Sequence, residues 1–291
     1  MSALDPLMPI SRFEVLAEGL DHPEGVAWGP DGHVYAGGEA GQLYRVSMDG
    51  EVEQFAGTGG FILGLCLDGE ANVYACDSAR GAVVRATPSG EVSTYFAGAG
   101  GRPLVSPNYP VFDAAGNLYV SESGEWGLGN GRLWVVRPGG KGEVLRDDVA
   151  AFPNGLALGP GGRYLYVVVS TLPGVVRVPV DGGPVETVVS FERKVPDGIA
   201  FDADGALYVS CYSPDEIWRV GHAGRAELFA SDWQRTVLAA PTNVAFCGPG
   251  LSTLVVASLG RWHLTRTEVD VPGQPLQYPK LGRARPREGS S

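Results

Sequence analysis

Lysine and long apolar runs are both scarce in this sequence. It has three lysines, and 22 Lys and Arg against 33 Asp and Glu give a net charge of −11. Without a basic stripe to neutralise phosphates, nucleic acid is not expected as a partner. No run reaches the roughly 18 apolar residues of a membrane-spanning helix, and residues 1–12 lack the features of a signal peptide. We therefore expect a cytoplasmic protein with no membrane partner.

Cysteine is also infrequent. The four cysteines form no CxxC pair, and three of them lie inside apolar, strand-like runs. In such runs a buried free thiol is more common than a metal or redox site. The sequence therefore predicts free thiols in the core.

The sequence is rich in glycine, and it contains a repeated pattern. Its 43 Gly and 22 Pro indicate a turn-rich chain. One pattern recurs six times: a turn, an apolar run, a Gly or Asp turn and a second apolar run. When the six copies are aligned on their first apolar run, the equivalent positions are 24, 63, 108, 154, 197 and 242. These positions are 39 to 46 residues apart, a period typical of repeat architectures.

Each of the first five copies continues with two more β-patterned runs, such as GQLYRVSMDGEVEQF from Gly41. Four strands per repeat predict an all-β fold, a six-bladed β-propeller of four-stranded blades. The sixth copy supplies three strands, whereas a spare strand begins at Arg12. We expect this N-terminal strand to close the last blade, because closure leaves no long sheet edge exposed.

The predicted organisation has three parts. Residues 1–11 form a lead, residues 12–281 form the propeller, and residues 282–291 form a disordered tail that is polar and unpatterned. One domain of this size is ordinary for a closed all-β fold. An open solenoid is the alternative, and the spare strand argues against it.

One residue of each repeat, directly before the innermost strand, is expected at the mouth of the central channel. Four of these six residues carry oxygen donors, and Pro or Gly flanks each of the four. In chain order the six are Glu24, Leu63, Asn108, Asn154, Asp197 and Thr242. Turn preference accounts for any one of them. It accounts less well for two acids and two amides, with no Lys or Arg, at equivalent positions of four blades.

Two carboxylates that face each other across a channel repel unless they share a proton or bind a cation. A donor set of carboxylate and amide oxygens suits Ca²⁺ or Mg²⁺ better than Zn²⁺, with Mn²⁺ as a further option. The pattern therefore predicts a divalent metal held by Glu24, Asn108, Asn154 and Asp197.

The motifs PEG at 23–25, PNG at 153–155 and PDG at 196–198 carry a family resemblance. Together with the repeat, they make the chain similar to the family of senescence marker protein (regucalcin), gluconolactonase and luciferin-regenerating enzyme. Members of that family are six-bladed propellers with a divalent metal in the channel, usually Ca²⁺ or Zn²⁺. Most characterised members hydrolyse lactones or phosphoesters.

The resemblance implies specific roles for residues of this chain. It implies Glu24, Asn154 and Asp197 as metal ligands, Asn108 as a further contact to metal or substrate, and Asp197 as the general base. Ca²⁺ is the favoured ion, ahead of Zn²⁺, Mg²⁺ and Mn²⁺. Family members of the regucalcin type also have an Arg two residues before the third-blade Asn and an Asp directly after it, where this chain has Ser106 and Tyr109.

The residues expected to contact substrate at the mouth are Asn108, Arg102, Glu122, Trp126 and Tyr212. The predicted function is a metal-dependent hydrolase that opens a lactone ring through a polarised carbonyl and an activated water. We expect a small-molecule substrate and a monomer or weak homo-oligomer. The alternatives are other metal-dependent chemistry, including attack on a phosphotriester by the carboxylate itself, and a non-catalytic binding propeller with a structural metal.

Overall fold

The computed structural model describes residues 5–281, and β-strands form nearly all of its regular structure. Six four-stranded antiparallel sheets follow one another along the chain. Each innermost strand contacts the innermost strand of the next blade, and the sixth contacts the first. The predicted all-β six-bladed propeller is therefore confirmed. The predicted tail, residues 282–291, lies outside the described residues, and within residues 5–281 no helix is long and apolar enough to cross a membrane.

The strands are numbered along the chain, and the first strand of each blade is innermost. A 3-10 turn, Ile10–Arg12, precedes β1 (Glu14–Glu18). Blade 1 contains β2 (Val26–Trp28), β3 (Val34–Gly37), β4 (Gln42–Val46) and β5 (Val52–Gly57). Blade 2 contains β6 (Ile62–Leu67), β7 (Val73–Asp77), β8 (Ala82–Ala86) and β9 (Val92–Phe96). A short hairpin, β10 (Gly98–Ala99) and β11 (Arg102–Pro103), follows it.

The remaining blades repeat this order. Blade 3 contains β12 (Pro107–Phe112), β13 (Leu118–Glu122), β14 (Arg132–Arg137) and β15 (Lys141–Arg146). Blade 4 contains β16 (Pro153–Leu158), β17 (Tyr164–Val169), β18 (Gly174–Pro179) and β19 (Glu186–Ser190). Blade 5 contains β20 (Val195–Phe201), β21 (Leu207–Ser213), β22 (Glu216–Val220) and β23 (Ala226–Ser231), with a 3-10 turn at His222–Gly224. Blade 6 contains β24 (Pro241–Cys247), β25 (Thr253–Ser258) and β26 (His263–Glu268).

The N-terminal strand closes the propeller as predicted. β1 pairs antiparallel with β26, with Glu14 opposite Arg266 and Glu18 opposite His263, so blade 6 has the order β1-β26-β25-β24. Glu14 also accepts a hydrogen bond from Arg266 Nε at 2.7 Å. The outer edge of the last blade is therefore covered by a strand from the other end of the chain.

The antiparallel order assigns every connection to one of two faces. Each innermost strand begins at what we call the mouth face. The loops between second and third strands and the connections between blades also lie at the mouth face. Hairpins between first and second strands, and between third and fourth strands, lie at the opposite face.

Neighbouring blades bury both faces of most strands. Trp134 of blade 3 is fully buried, and its ring packs edge-on against Phe96 of blade 2 with 5.4 Å between centroids. Tyr74 and Phe112 form a second such pair between these blades at 4.9 Å. Aromatic pairs of this geometry contribute about 0.5–1.5 kcal/mol beyond the burial of their area. All four cysteines are free and three of them are buried, as predicted.

Aspartates organise the hairpins at the opposite face. Asp68 accepts hydrogen bonds from the backbone N and the Nδ2 of Asn72, both at 3.0 Å, and from Tyr74 Oη at 3.2 Å. Asp113 bonds Asn117 and Tyr119 in the same way. Because the carboxylate satisfies the turn's amides, the repeated spacing of Asp, Asn and Tyr sets the register of these hairpins.

The chain after β26 crosses the opposite face. Gln274 N donates to Phe201 O at 2.9 Å, and Gln274 Nε2 donates to Leu158 O at 3.2 Å. Tyr278 Oη donates to Trp28 O at 2.6 Å. Residues 274–278 and the innermost strands of all six blades line an apolar cavity of about 120 Å³. This segment therefore covers the channel on the face opposite the mouth.

Candidate functional site

The six equivalent residues, which we call the ring, lie side by side around the channel. Glu24 precedes β2, whereas the other five are the second or third residue of their innermost strand and not directly before it, as the sequence had predicted. In four blades the next residue is a glycine, and a Cβ there would come closer than 3.0 Å to the carbonyl oxygen of the neighbouring ring residue. These glycines are Gly25, Gly64, Gly155 and Gly198, beside Leu63, Asn108, Asp197 and Thr242 respectively. Only glycine allows backbones to approach this closely.

Side-chain hydroxyls make the two remaining connections of the ring. Thr242 Oγ1 donates to Glu24 O at 2.7 Å and joins blade 6 to blade 1. Ser121 Oγ donates to Asn154 O at 2.7 Å and joins blade 3 to blade 4. The sequence prediction that these positions converge at one end of the channel therefore agrees with the geometry.

Each of the four predicted ligands has a buried oxygen to which nothing in residues 5–281 donates a hydrogen bond. These atoms are Glu24 Oε2, Asn108 Oδ1, Asn154 Oδ1 and Asp197 Oδ1. Buried polar atoms are nearly always paired, and an unpaired one costs about 1–3 kcal/mol. Carboxylate and amide oxygens are the donors that a hard divalent cation prefers, and these four would supply part of the roughly six to eight oxygen ligands of Ca²⁺. The residues present therefore fit a metal ion.

Burial raises the pKa of both acids in the ring. The pKa of Glu24 lies well above its usual value, first through desolvation and second through repulsion from Asp197. Desolvation raises the pKa of Asp197 to about 8, against the opposing effect of a hydrogen bond from Asn154. The two carboxylates thus sense each other's charge, and a bound cation would remove both the repulsion and the desolvation cost.

The two other ring positions do not supply ligands. Leu63 is apolar, and the Thr242 hydroxyl already donates to Glu24 O. Both positions flank Glu24 in the blade order, so Glu24 of blade 1 faces the three donors of blades 3, 4 and 5 across the channel.

The predicted substrate contacts differ in how they are placed. Glu122 is buried, accepts hydrogen bonds from Val105 N at 2.9 Å and Trp134 Nε1 at 2.6 Å, and lies 3.4 Å from Arg132 Nε. Its carboxylate is therefore engaged within blade 3. By contrast, Trp126 is exposed on a mouth-face loop, and Tyr212 is exposed at the mouth-face end of β21. Arg102 is exposed on the hairpin before blade 3.

Sequence reasoning missed a set of serines that connect the blades beneath the ring. Ser170 Oγ donates to Pro196 O at 2.7 Å and lies 3.3 Å from Asn154 Nδ2, which leaves Asn154 Oδ1 for the ring. Ser210 Oγ donates to Thr242 O at 2.6 Å. The signal was present, because a serine lies in or directly after the second strand of several repeats.

Asn243 was also missed. Its Nδ2 donates to Glu24 O at 3.1 Å, while its buried Oδ1 receives no hydrogen bond from the described part of the chain. It stands one residue after the ring position, where four other blades have glycine, so the alignment of repeats hid it.

A second group of side chains of metal-ligand type includes two residues that precede Glu24 in the chain. One ligand atom from each of Asp21, His22 and Glu39 falls within 4.8 Å of the others. Asp21 Oδ2, however, accepts hydrogen bonds from Ala40 N at 3.1 Å and Gln42 Nε2 at 3.0 Å. This group therefore organises the loop before β2.

Comparison with known proteins agrees with the fold. A gluconolactonase from Xanthomonas campestris is 19% identical and has a TM-score of 0.75, with 90% of this chain and 89% of that chain covered. The calcium-binding protein regucalcin from Agrobacterium tumefaciens is 18% identical and has a TM-score of 0.74, with 94% of this chain and 99% of that chain covered. Luciferin-regenerating enzyme is 19% identical and has a TM-score of 0.75, with 91% of this chain and 97% of that chain covered. At these identities the likeness shows the fold alone.

No curated protein matches the sequence significantly. The family model of the SMP-30/gluconolactonase/LRE-like region matches residues 23–260. That range contains the whole ring and five complete blades, and it covers well over half of the chain. The chain therefore belongs to the SMP-30/gluconolactonase/LRE-like family.

Proposed function

We propose that the protein is a divalent-metal-dependent hydrolase that opens lactone rings. The observation that carries the proposal is the set of four buried, unpartnered oxygens of Glu24, Asn108, Asn154 and Asp197. Family membership supports lactones as the substrate class, since gluconolactonase names the family.

The four ring residues would hold the ion. When bound, a divalent ion polarises a carbonyl oxygen and lowers the pKa of water. Asn154, oriented by Ser170, and Asn108 supply neutral oxygens, while Glu24 and Asp197 balance the ion's charge. We assign the Asp197 carboxylate the second task of accepting a proton from the attacking water.

Direct metal analysis and a lactone panel test the proposal together. We expect one Ca²⁺ per chain in the purified protein, turnover of a lactone in a pH-indicator assay, and loss of that turnover in chelator. Asp197→Asn should lower kcat/KM by about 100-fold or more, whereas Asp49→Asn, on an exposed turn at the opposite face, should leave it unchanged.

Two outcomes would contradict the proposal. Full turnover after chelation would show that the reaction does not need the metal. A metal-loaded protein that hydrolyses no lactone, but loses thermal stability in chelator, would instead be a binding propeller whose ion joins the blades.

A further inference from the structure

The mouth face carries exposed tryptophans that do not contribute to the core. Trp126, Trp233 and Trp262 are 58%, 85% and 63% exposed. Trp126 and Trp262 lie in the loops between second and third strands of blades 3 and 6, and Trp233 lies in the connection between blades 5 and 6. All three exposed tryptophans of residues 5–281 therefore lie at the mouth face.

Two of these tryptophans pack against residues that lead directly into the ring. The Trp262 ring packs edge-on against His22 with 5.5 Å between centroids, and Trp126 packs edge-on against Phe152 at 4.8 Å. His22 precedes Glu24 by two residues, and Phe152 precedes Asn154 by two residues. Two residues of chain span at most about 7 Å, so each aromatic pair starts next to a predicted ligand.

The backbone holds both partners in an uncommon conformation. His22 has a φ of 44° and Phe152 a φ of 56°. Non-glycine residues rarely adopt this left-handed region, and bulky ones do so least. Such conformations persist where the surroundings enforce them, often at ligand sites. The same turn therefore positions a ring ligand and an aromatic ring.

The two aromatic pairs stand on opposite sides of the mouth. The Trp262–His22 pair joins blades 6 and 1, whereas the Trp126–Phe152 pair joins blades 3 and 4. Three blades separate these two boundaries in either direction around the ring. A molecule seated over the ring would therefore lie between two aromatic walls.

Two largely buried carboxylates at the mouth face already have hydrogen-bond partners. Glu122 bonds Val105 N and Trp134 Nε1. Glu216 accepts hydrogen bonds from Lys194 Nζ and Trp218 Nε1, both at 2.7 Å. Recognition of a sugar requires many free donors and acceptors, because each buried hydroxyl needs a partner.

We propose that the substrate is a lactone with an apolar alkyl or aryl body, which the Trp262–His22 and Trp126–Phe152 pairs hold over the ring. The inference rests on the proposed lactonase function, and it excludes polyhydroxylated sugar lactones as preferred substrates. Indole and phenyl rings favour such bodies because they bury large apolar areas with few polar demands.

Lactones that share one ring and differ in their substituents test the inference. We expect kcat/KM to be higher for δ-dodecanolactone and dihydrocoumarin than for glucono-δ-lactone. Trp126→Ala and Trp262→Ala should each lower kcat/KM for δ-dodecanolactone, relative to δ-valerolactone, by about tenfold. Trp233→Ala is the matched control, since Trp233 forms no aromatic pair within the described chain, and it should leave this ratio unchanged.

Binding of unreactive lactams separates this inference from the hydrolase proposal. The lactam of dihydrocoumarin should quench tryptophan fluorescence at lower concentration than glucono-δ-lactam, and Trp126→Ala and Trp262→Ala should weaken its binding. If this binding is seen without turnover of any lactone, the hydrolase proposal fails and the apolar site stands. Preference for glucono-δ-lactone, or equal effects of all three tryptophan variants, would overturn the inference even if lactones are hydrolysed.

Discussion

Asp197 and Glu24 are two acids buried within reach of each other's charge. Their raised pKa values express the cost of keeping them ionised without a cation. An acid with a raised pKa in the fold gives its full stabilisation below its unfolded pKa. That stabilisation disappears as pH rises through the folded pKa. For Asp197 this window runs from the ordinary aspartate pKa of 3.8 to a pKa of about 8 in the fold.

The stability of the metal-free protein should therefore fall as pH rises across this window. In chelator, we expect the Tm of the wild type to drop more steeply between pH 5 and pH 8 than that of Asp197→Asn, which cannot ionise at this position. Asp49→Asn controls for loss of an exposed acid and should follow the wild type. Calorimetry at both pH values, with and without Ca²⁺, measures the effect. If the Tm falls equally steeply with pH in the wild type and in Asp197→Asn, ionisation of Asp197 is not the cause of the pH dependence.

At the scale of single strands, hydrogen bonds between neighbouring blades hold the ring residues in place. Ser210, in the second strand of blade 5, accepts a hydrogen bond from Gly198 N at 3.1 Å and donates to Thr242 O at 2.6 Å. It thus connects the starts of two innermost strands. The strand itself follows from β-branched and aromatic alternation, whereas this contact depends on how two blades pack.

Replacing that hydroxyl should weaken the fold without changing its shape. Ser210→Ala leaves Gly198 N and Thr242 O without this partner, which should lower the free energy of unfolding by about 1–3 kcal/mol. Urea denaturation measures the change, and Ser93→Ala, at an exposed position of β9, is the control. Equal stability of the two variants would mean that solvent or neighbouring groups replace the hydroxyl at no cost.

The whole molecule depends on a contact between chain ends. β1 covers the edge of β26, and the lead docks on blade 5 through Met8 N, which donates to Phe229 O at 2.7 Å. Leu16 and Ala17 of β1 also pack in the cluster that joins blades 6 and 1. Closure therefore combines strand pairing with shared core.

Removal of β1 should accordingly affect the entire ring. Deletion of residues 1–18 exposes the β26 edge and part of the core, so we expect loss of cooperative unfolding and aggregation. Deletion of residues 1–5 keeps the Leu7 and Met8 contacts and should preserve the Tm. Size-exclusion chromatography and calorimetry distinguish the two. A cooperative monomer lacking β1 would show that five complete blades suffice.

Local sequence patterns were enough to predict the fold and the ring. Alternating apolar residues and Gly or Asp turns define strands and hairpins over a few residues. The sixth repeat lacked one strand, and the spare strand at Arg12 was the one available to complete it. Glu24, Asn108, Asn154 and Asp197 were predictable because equivalent positions of a closed repeat must converge on its axis.

The sequence by itself thus determined the blades, their number, their closure and the ring of oxygen donors, because each depends on a short period repeated along the chain. Only the tertiary structure decided which side chains are free to act. Glu122 binds Trp134 within its own blade, Asn243 reaches the Glu24 carbonyl, and Trp126 and Trp262 find ring partners in adjacent blades. The contacts of Asn243, Trp126 and Trp262 cross from one blade to the next, and no local pattern encodes the packing between blades.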